Sequence, residues 1–222
     1  NEKEVTQLVK NMGPATLSSG AQQLNLFISG AIASFLPGAV SILSYADRLY
    51  QLPLALIGIT FGTILLPELS RIYKKRNYNE ANYLQNKALQ IALLLSVPSM
   101  VGLFALSKPI IHLIYERGKF LPEDTILTAE ALAAFSLGLP AFVIAKILTP
   151  IYYANLDTKT PLRITLYSLA INTILNIALM IPFGHVGIAI GASIAAWINA
   201  WLLNKYAKQY GDFKVTYETK LF

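Results

Sequence analysis

The feature that most constrains this chain is a run of 41 positions, residues 164–204, that contains no Asp, Glu, Lys or Arg. A helix needs roughly 20 apolar residues to cross a bilayer, so the run is long enough for two crossings. The residues Pro182–His185, with sequence PFGH, carry turn-forming Pro and Gly and divide the run. The run therefore predicts two membrane-spanning helices, at about 162–182 and 186–204.

Four further apolar segments precede this run, at about 13–36, 38–67, 86–107 and 126–154. The whole chain is 55% hydrophobic and only 14% charged, whereas charged residues make up about a quarter of an ordinary soluble domain. There is no cysteine, which excludes disulfides and thiol chemistry. We therefore expect an all-α integral membrane protein in which residues 13–210 form a bundle of six transmembrane helices.

The distribution of positive charge predicts the orientation of these spans. If the N-terminus lies in the cytoplasm and the spans alternate, the cytoplasmic segments hold 13 of the 18 Lys and Arg residues and the outer segments hold 3. The remaining two, Arg48 and Lys146, fall inside spans. This strong excess of inner positive charge predicts a multi-pass membrane protein with the N-terminus of this chain on the cytoplasmic side.

The two ends of the chain are predicted to lie outside the bundle. Residues 1–12 place Val5, Leu8, Val9 and Met12 on one helical face, which suits either a cytoplasmic interfacial helix or a solvated leader. Residues 211–222 are too short and polar to span and are predicted to be a cytoplasmic tail leading to further helices. The chain begins with Asn and has no signal-peptide pattern, so we expect it to be part of a longer protein.

The first span carries a polar stripe. Projected at 100° per residue, Ser18, Gln22, Asn25 and Ser29 fall within about 60° of arc. In hydrocarbon such a stripe must face protein or water. It is either a hydrogen-bonded seam with another helix or the wall of a hydrated cavity, and this span alone favours neither.

The second span has a polar face about 100° wide that includes an arginine. Its members are Ser41, Ser44, Arg48, Gln51, Ala55, Gly58 and Gly62. A charge inside a span is costly and is functional by default. Asp47 is the sequence neighbour of Arg48, but adjacent residues on a helix do not face each other, so we expect Asp47 to pair elsewhere. Guanidinium suits phosphate, so Arg48 is predicted to bind an anionic ligand, with a structural ion pair as the alternative.

Other polar residues within spans have more modest predicted roles. Lys146 is expected to form a structural charge pair. Asn172 and Asn176 share one face of the fifth span, where interhelical hydrogen bonds are the first expectation and an alkali-cation site such as sodium is the second. The spacing GxxxG at Gly58–Gly62 predicts close helix contact. No catalytic carboxylate pair, P-loop, nucleophile motif or nucleic-acid-binding pattern is visible, so neither an enzyme nor a cofactor site is predicted.

Several longer stretches resemble one known family. They are GPATLSSGAQQLNLFISGAIASFLPGAVSILSYADRLYQLPLALIGITFGTILLPELS at Gly13–Ser70, IYERGKF at Ile114–Phe120 and AKILTPIYYANLDTKTP at Ala145–Pro161. Together with the helix pair that follows, they resemble the MurJ (MviN) family of bacterial lipid II flippases, within the MOP exporter superfamily. The segment SYADRLYQLP is specific to that family. The resemblance places this chain at the seventh to twelfth of fourteen helices, without the N-terminal lobe and the last two helices.

The resemblance also implies roles for individual residues. Arg48 occupies the position of a cavity arginine that holds the pyrophosphate of lipid II, the undecaprenyl-pyrophosphate-linked disaccharide-pentapeptide. Gln22, Asn25, Ser29 and Gln51 would line the hydrated path. Some relatives carry a carboxylate where Gln51 stands. Some bind sodium in this lobe through acidic and amide groups, for which this chain offers Asn172 and Asn176 without a carboxylate.

The expected function is therefore part of a flippase for peptidoglycan synthesis. It would move lipid II from the cytoplasmic to the outer leaflet by alternating access, together with its N-terminal lobe and the surrounding membrane lipids. One alternative is a flippase or exporter of another lipid-linked saccharide or of a drug on the same fold. The other is a non-transporting membrane scaffold for cell-wall enzymes, in which Arg48 would matter only for folding.

Overall fold

The computed structural model describes residue 20 and residues 23–210 of the chain, and all regular secondary structure in this part is helical. The predicted leader 1–12, the predicted tail 211–222 and the residues Ser18 and Gln22 lie outside the described residues. The helices are α1 (Gln23–Ala33), α2 (Ala39–Lys74), α3 (Tyr78–Ala105), α4 (Ser107–Tyr115), α5 (Pro122–Ser136), α6 (Leu139–Ala154) and α7 (Lys159–Ala207).

The long helices have the length and composition of membrane spans. α2, α3 and α7 each satisfy both criteria, and α5 and α6 satisfy them together as one span bent by 42°. α2 and α7 extend past the apolar limits set by the sequence because their charged ends, such as Arg71 and Lys205, continue the helix beyond the hydrocarbon. The chain is thus an all-α membrane protein with several spans.

α7 is two arms, because the chain reverses direction within it. Gly184, in the PFGH group, has φ 58° and ψ −134°, which is not helical. Beyond it, Gly187 lies directly against the backbone carbonyl of Leu179, and Gly191 lies against Asn176. A Cβ added to Gly191 would stand 2.5 Å from the Asn176 side-chain amide. The N-terminal arm (159–183) and the C-terminal arm (185–207) therefore pack closely side by side through glycine.

α6 forms the centre of the bundle. Its residues Leu139, Val143, Ile147, Leu148 and Ile151 have no exposed surface. α2, α3 and α7 surround it. The side of α2 that faces the bundle is equally apolar and buries Ala46, Leu49, Leu65 and Leu69. A helix such as α6, which is apolar on nearly all sides, is typical of the core of a membrane bundle.

The break between α5 and α6 divides the fourth predicted span, which the sequence treats as continuous. Helix α5 ends at Ser136, and the carbonyls near its end accept hydrogen bonds from α7. Ser193 Oγ donates to the Ala134 carbonyl at 2.7 Å, and Trp197 Nε1 donates to the Leu137 carbonyl at 3.0 Å. Irregular backbone at membrane depth is tolerated where protein satisfies its polar groups. The sequence signal for this break was the group Gly138-Leu139-Pro140.

The connection between α6 and α7 is organised around Asp157. Its carboxylate accepts hydrogen bonds from the backbone N–H groups of Lys159 (3.2 Å) and Thr160 (3.0 Å), and from the hydroxyl of Tyr210 (2.9 Å). Partial burial opposes the charge on Asp157, but these hydrogen bonds outweigh it and lower the pKa of its carboxyl. The start of α7 is thus fixed to the residues that follow its end.

Candidate functional site

The predicted polar face of α2 is turned away from the rest of the described bundle. Over the first half of the helix all of its members are exposed, and these are Ser41, Ser44, Arg48, Gln51 and Ala55. The opposite side of α2 buries apolar residues such as Ala46 and Leu49 against the core, while the apolar Tyr45, Leu52 and Leu56 are exposed beside the polar face. The face is therefore available to water, to a ligand or to protein outside the described residues.

Arg48 and Asp47 are not paired with each other by a salt bridge. The ion pairs in the described part of the chain are Arg71–Glu68 and His112–Glu116. Asp47 is half-buried and accepts a hydrogen bond from the side-chain amide of Gln51, one turn further along α2. The carboxylate thus has a local partner, while the exposed Arg48 has no carboxylate at salt-bridge distance among the residues that the structure describes.

The polar stripe of α1 meets a different environment. Asn172 of α7 donates from its side-chain Nδ2 to Asn25 Oδ1 at 2.7 Å. The Asn176 amide lies 3.1 Å from Ser29 Oγ. With the amide oxygen of Asn176 accepting from that hydroxyl, its NH₂ group can donate to the Ile188 carbonyl at 3.2 Å. This orientation satisfies both ends of the amide, so we assign it.

These contacts form a hydrogen-bonded seam between α1 and the first arm of α7, which we call the amide seam (Asn25, Ser29, Asn172 and Asn176). Asn172 and Asn176 are buried, while Asn25 and Ser29 are half-buried. Across the described residues there is no group of three or more His, Asp or Glu that could hold a metal ion. The two asparagines predicted as cation ligands thus use their side-chain amides to form hydrogen bonds with α1 and within α7.

Among the described residues, Lys146 lacks the structural charge pair predicted for it. No carboxylate in the described part of the chain lies at salt-bridge distance from it. Its Cβ and Cγ pack instead on Gly58 of α2, at 3.6 and 3.3 Å from the place where a Cβ on that glycine would stand. Gly62, the other glycine of the GxxxG pattern, has nothing within 4 Å of that place. Of the two glycines in the GxxxG pattern, Gly58 thus packs against the stem of Lys146, while no described residue packs closely on Gly62.

The histidines lie away from this face. His112 Nδ1 is 2.8 Å from Glu116 Oε2, and Thr125 donates to the same oxygen at 2.6 Å. These two hydrogen bonds lower the pKa of Glu116. His112, Glu116 and Thr125 line a surface groove of about 450 Å³ at the α4–α5 connection. None of the predicted site residues lines this groove. His185 contacts the Leu127 carbonyl at 3.0 Å.

Comparison with known proteins gives a consistent result. Residues 1–221 match the family model described as lipid II flippase MurJ. A probable lipid II flippase MurJ of Rickettsia prowazekii is 57% identical over 222 residues, which is 100% of this chain and 44% of that protein. The corresponding protein of Rhizobium tropici is 46% identical over 187 residues, covering 84% of this chain and 35% of its own length. The chain spans less than half the length of these curated relatives.

Solved structures share the fold. A lipid II flippase MurJ in an inward closed conformation superposes with a TM-score of 0.81 at 34% identity, over 94% of this chain and 44% of that one. An outward-facing MATE multidrug resistance transporter of the MOP superfamily gives a TM-score of 0.82 at 17% identity, over 94% and 47% of the two chains. The second likeness concerns the fold alone.

Proposed function

This chain belongs to the lipid II flippase MurJ family, and from that premise we propose that it forms one lobe of a lipid II flippase. The whole protein would carry lipid II from the cytoplasmic to the outer leaflet by alternating access. This lobe would act with the N-terminal lobe and the final helices of the longer protein and with surrounding membrane lipids. The Lys and Arg asymmetry supports a location in the bacterial inner membrane, with the start of this chain in the cytoplasm.

The observation that carries the proposal is the state of Arg48. An intramembrane guanidinium is costly unless water, a counter-ion or a ligand compensates it. Here Asp47 is engaged by Gln51, and Arg48 lies exposed on the polar face of α2. Guanidinium presents several N–H donors in a fixed planar fork that matches phosphate oxygens. We assign Arg48 to the pyrophosphate of the substrate.

The other proposed site residues have supporting roles. Gln51 is exposed beside Arg48 and holds the neighbouring carboxylate in place. Asn25 and Ser29 are half-buried against α7, so only the exposed part of each side chain would contribute to a hydrated path. Gln22, outside the described residues, belongs to the same stripe. For Asn172 and Asn176 the hydrogen bonds to α1 favour helix contact over sodium binding.

The first experiment is complementation with the full-length protein in bacteria depleted of their own flippase. Arg48→Ala and Arg48→Lys are compared with the unmodified protein, and membrane protein level and lipid II accumulation are measured in the same cells. We expect the alanine variant to be present at normal level while the cells lyse with lipid II retained inside. The lysine variant distinguishes geometry from charge, since lysine keeps the charge but not the bidentate fork.

Ser44→Ala is the matched control. Ser44 is exposed one turn from Arg48, and its hydroxyl donates to the Val40 carbonyl of its own helix at 2.6 Å. This variant should complement fully. Normal growth of the Arg48→Ala strain would remove Arg48 from the substrate site. Loss of the alanine variant from the membrane would favour the scaffold alternative, in which Arg48 serves folding.

A further inference from the structure

The lysine of α6 emerges at an unusual place. Of the 16 residues of α6, all of them described, Lys146 is the one that is exposed, while most of the others are buried. The one exposed side chain of the central helix, among residues that are buried or half-buried, is thus positively charged. A residue needed only for packing at this position would be apolar, since lysine is costly inside a membrane.

Gly58 creates the opening through which Lys146 passes. The glycine is buried by the lysine stem, with the Lys146 Cγ 3.3 Å from the position of an added Cβ. Gly58 belongs to the same polar face of α2 as Arg48. It lies ten residues beyond Arg48, which corresponds to about 15 Å along a helix. The Lys146 stem therefore crosses α2 beside the same face, at a second level along the helix.

Within the described part of the chain, neither Arg48 nor Lys146 has a carboxylate at salt-bridge distance. Two exposed cations beside the same helix produce a positive potential that attracts anions. We propose that Lys146 is a second anion-binding residue on this face, which contacts a phosphate or carboxylate of the lipid-linked substrate at a different level from Arg48. The proposal rests on the proposed function, because it takes the α2 face as the path of the substrate.

The binding test uses purified full-length protein and two probes. One is a polyprenyl pyrophosphate, which has no sugar or peptide, and the other is complete lipid II. Lys146→Met keeps an unbranched stem over Gly58 and removes the charge, while Lys146→Arg retains a charge. Lys87→Met is the matched control, since Lys87 is exposed on α3 and lies near Tyr83 instead of the α2 face.

We expect Lys146→Met to weaken binding by about tenfold to a hundredfold, as for loss of a hydrogen bond to a charged group. The arginine variant should bind within a few-fold of the unmodified protein, and Lys87→Met should bind normally. Loss with both probes would assign Lys146 to phosphate, and loss with lipid II alone would assign it to a peptide carboxylate. Unchanged binding of both probes would overturn the proposal.

A second variant covers the case in which Lys146→Met does not fold, and it tests exposure directly. In Lys146→Cys, placed in a background without other cysteines, a methanethiosulfonate reagent carrying an aminoethyl group would restore a positive charge. The methyl reagent leaves the site neutral. Recovery of binding with the first reagent only supports the proposal, and equal binding after both reagents contradicts it. If Arg48→Ala binds weakly but Lys146 variants bind normally, the proposed function stands and this inference alone fails.

Discussion

α1 and α2 each carry a polar stripe through the membrane region, but the bundle treats the two stripes in opposite ways. In α1, Asn25 and Ser29 are hydrogen-bonded to buried asparagines of α7. In α2, Arg48 and its exposed neighbours face away from the rest of the lobe. The first stripe holds helices together, whereas the second is left open for something outside this lobe.

The chemistry of the side chains explains the difference. Asparagine and serine both donate and accept hydrogen bonds, so they can satisfy one another where hydrocarbon offers no partners. A guanidinium only donates and carries a permanent charge, so it needs an anion or water. Arg48 makes no salt bridge to a carboxylate of the described residues, so we infer that its opposing anion comes from elsewhere. We therefore expect substitutions in the amide seam to affect stability and substitution of Arg48 on the α2 face to affect activity.

The largest effect on stability is expected from Asn176→Leu. Asn176 is fully buried, and its loss leaves the Ser29 hydroxyl without its partner. We expect a loss of about 1–3 kcal/mol, seen as a lower Tm of the purified full-length protein. Ser44→Ala, on the open α2 face, should change stability by less than about 0.5 kcal/mol. Equal effects of the two substitutions would show that the stripes do not differ as proposed.

A smaller effect is expected from Gly191→Ala. The new Cβ would stand 2.5 Å from the Asn176 side chain and displace it from the seam. We expect a loss of about 1 kcal/mol, in the range of other overpacking substitutions. Gly62→Ala is the control, since nothing lies within 4 Å of its added Cβ.

A double-mutant cycle shows whether Gly191→Ala destabilises the protein through the amide seam or through local backbone strain. If Gly191→Ala acts by displacing the amide, it should cost less in an Asn176→Ala background, because the displaced group is then absent. Additive losses of Tm-derived free energy would instead assign the effect to the glycine backbone. The comparison of the two stripes would then rest on Asn176→Leu alone.

The smallest effect is expected at Asp157, a paired polar group outside the spans. Asp157→Asn keeps the shape but weakens the bonds to Lys159 and Thr160 at the start of α7, and we expect a loss of about 0.5–1 kcal/mol. Water can replace lost partners here, unlike in the amide seam. Its pKa is lowered in the folded protein, so the charge stabilises the fold above the ordinary carboxyl range, and this contribution disappears as the pH falls through the lowered pKa.

The measurement is the Tm of the full-length protein and the Asp157→Asn variant at neutral pH and below pH 4. The difference between them should shrink at the lower pH, because the carboxyl of the unmodified protein is then becoming protonated. A difference that stays constant with pH would mean that the carboxylate charge contributes nothing. If Asp157→Asn lowered the stability as much as Asn176→Leu does, the view that burial in the membrane makes the amide seam more costly to break would be wrong.

Much of the architecture follows from one-dimensional patterns. The charge-free run 164–204 and its PFGH group correspond to the two arms of α7 and the reversal at Gly184. The polar face of α2 was predicted from spacing, and in the first half of the helix its members are exposed, together with the apolar Tyr45, Leu52 and Leu56. Such patterns can be read from the sequence because hydrocarbon penalises each unpaired polar group individually, wherever it lies along the chain.

The sequence by itself determined that the chain forms apolar helices, that two of them carry polar stripes, and that Arg48 needs a partner beyond its own turn. The tertiary structure decided which stripe is paired, that Lys146 emerges over Gly58, and that α5 and α6 form a bent span completed by Ser193 and Trp197. Helical periodicity fixes the direction of a side chain only around its own axis. What lies in that direction depends on residues far away in the chain, such as Asn172 opposite Asn25, and only the packed bundle brings them together.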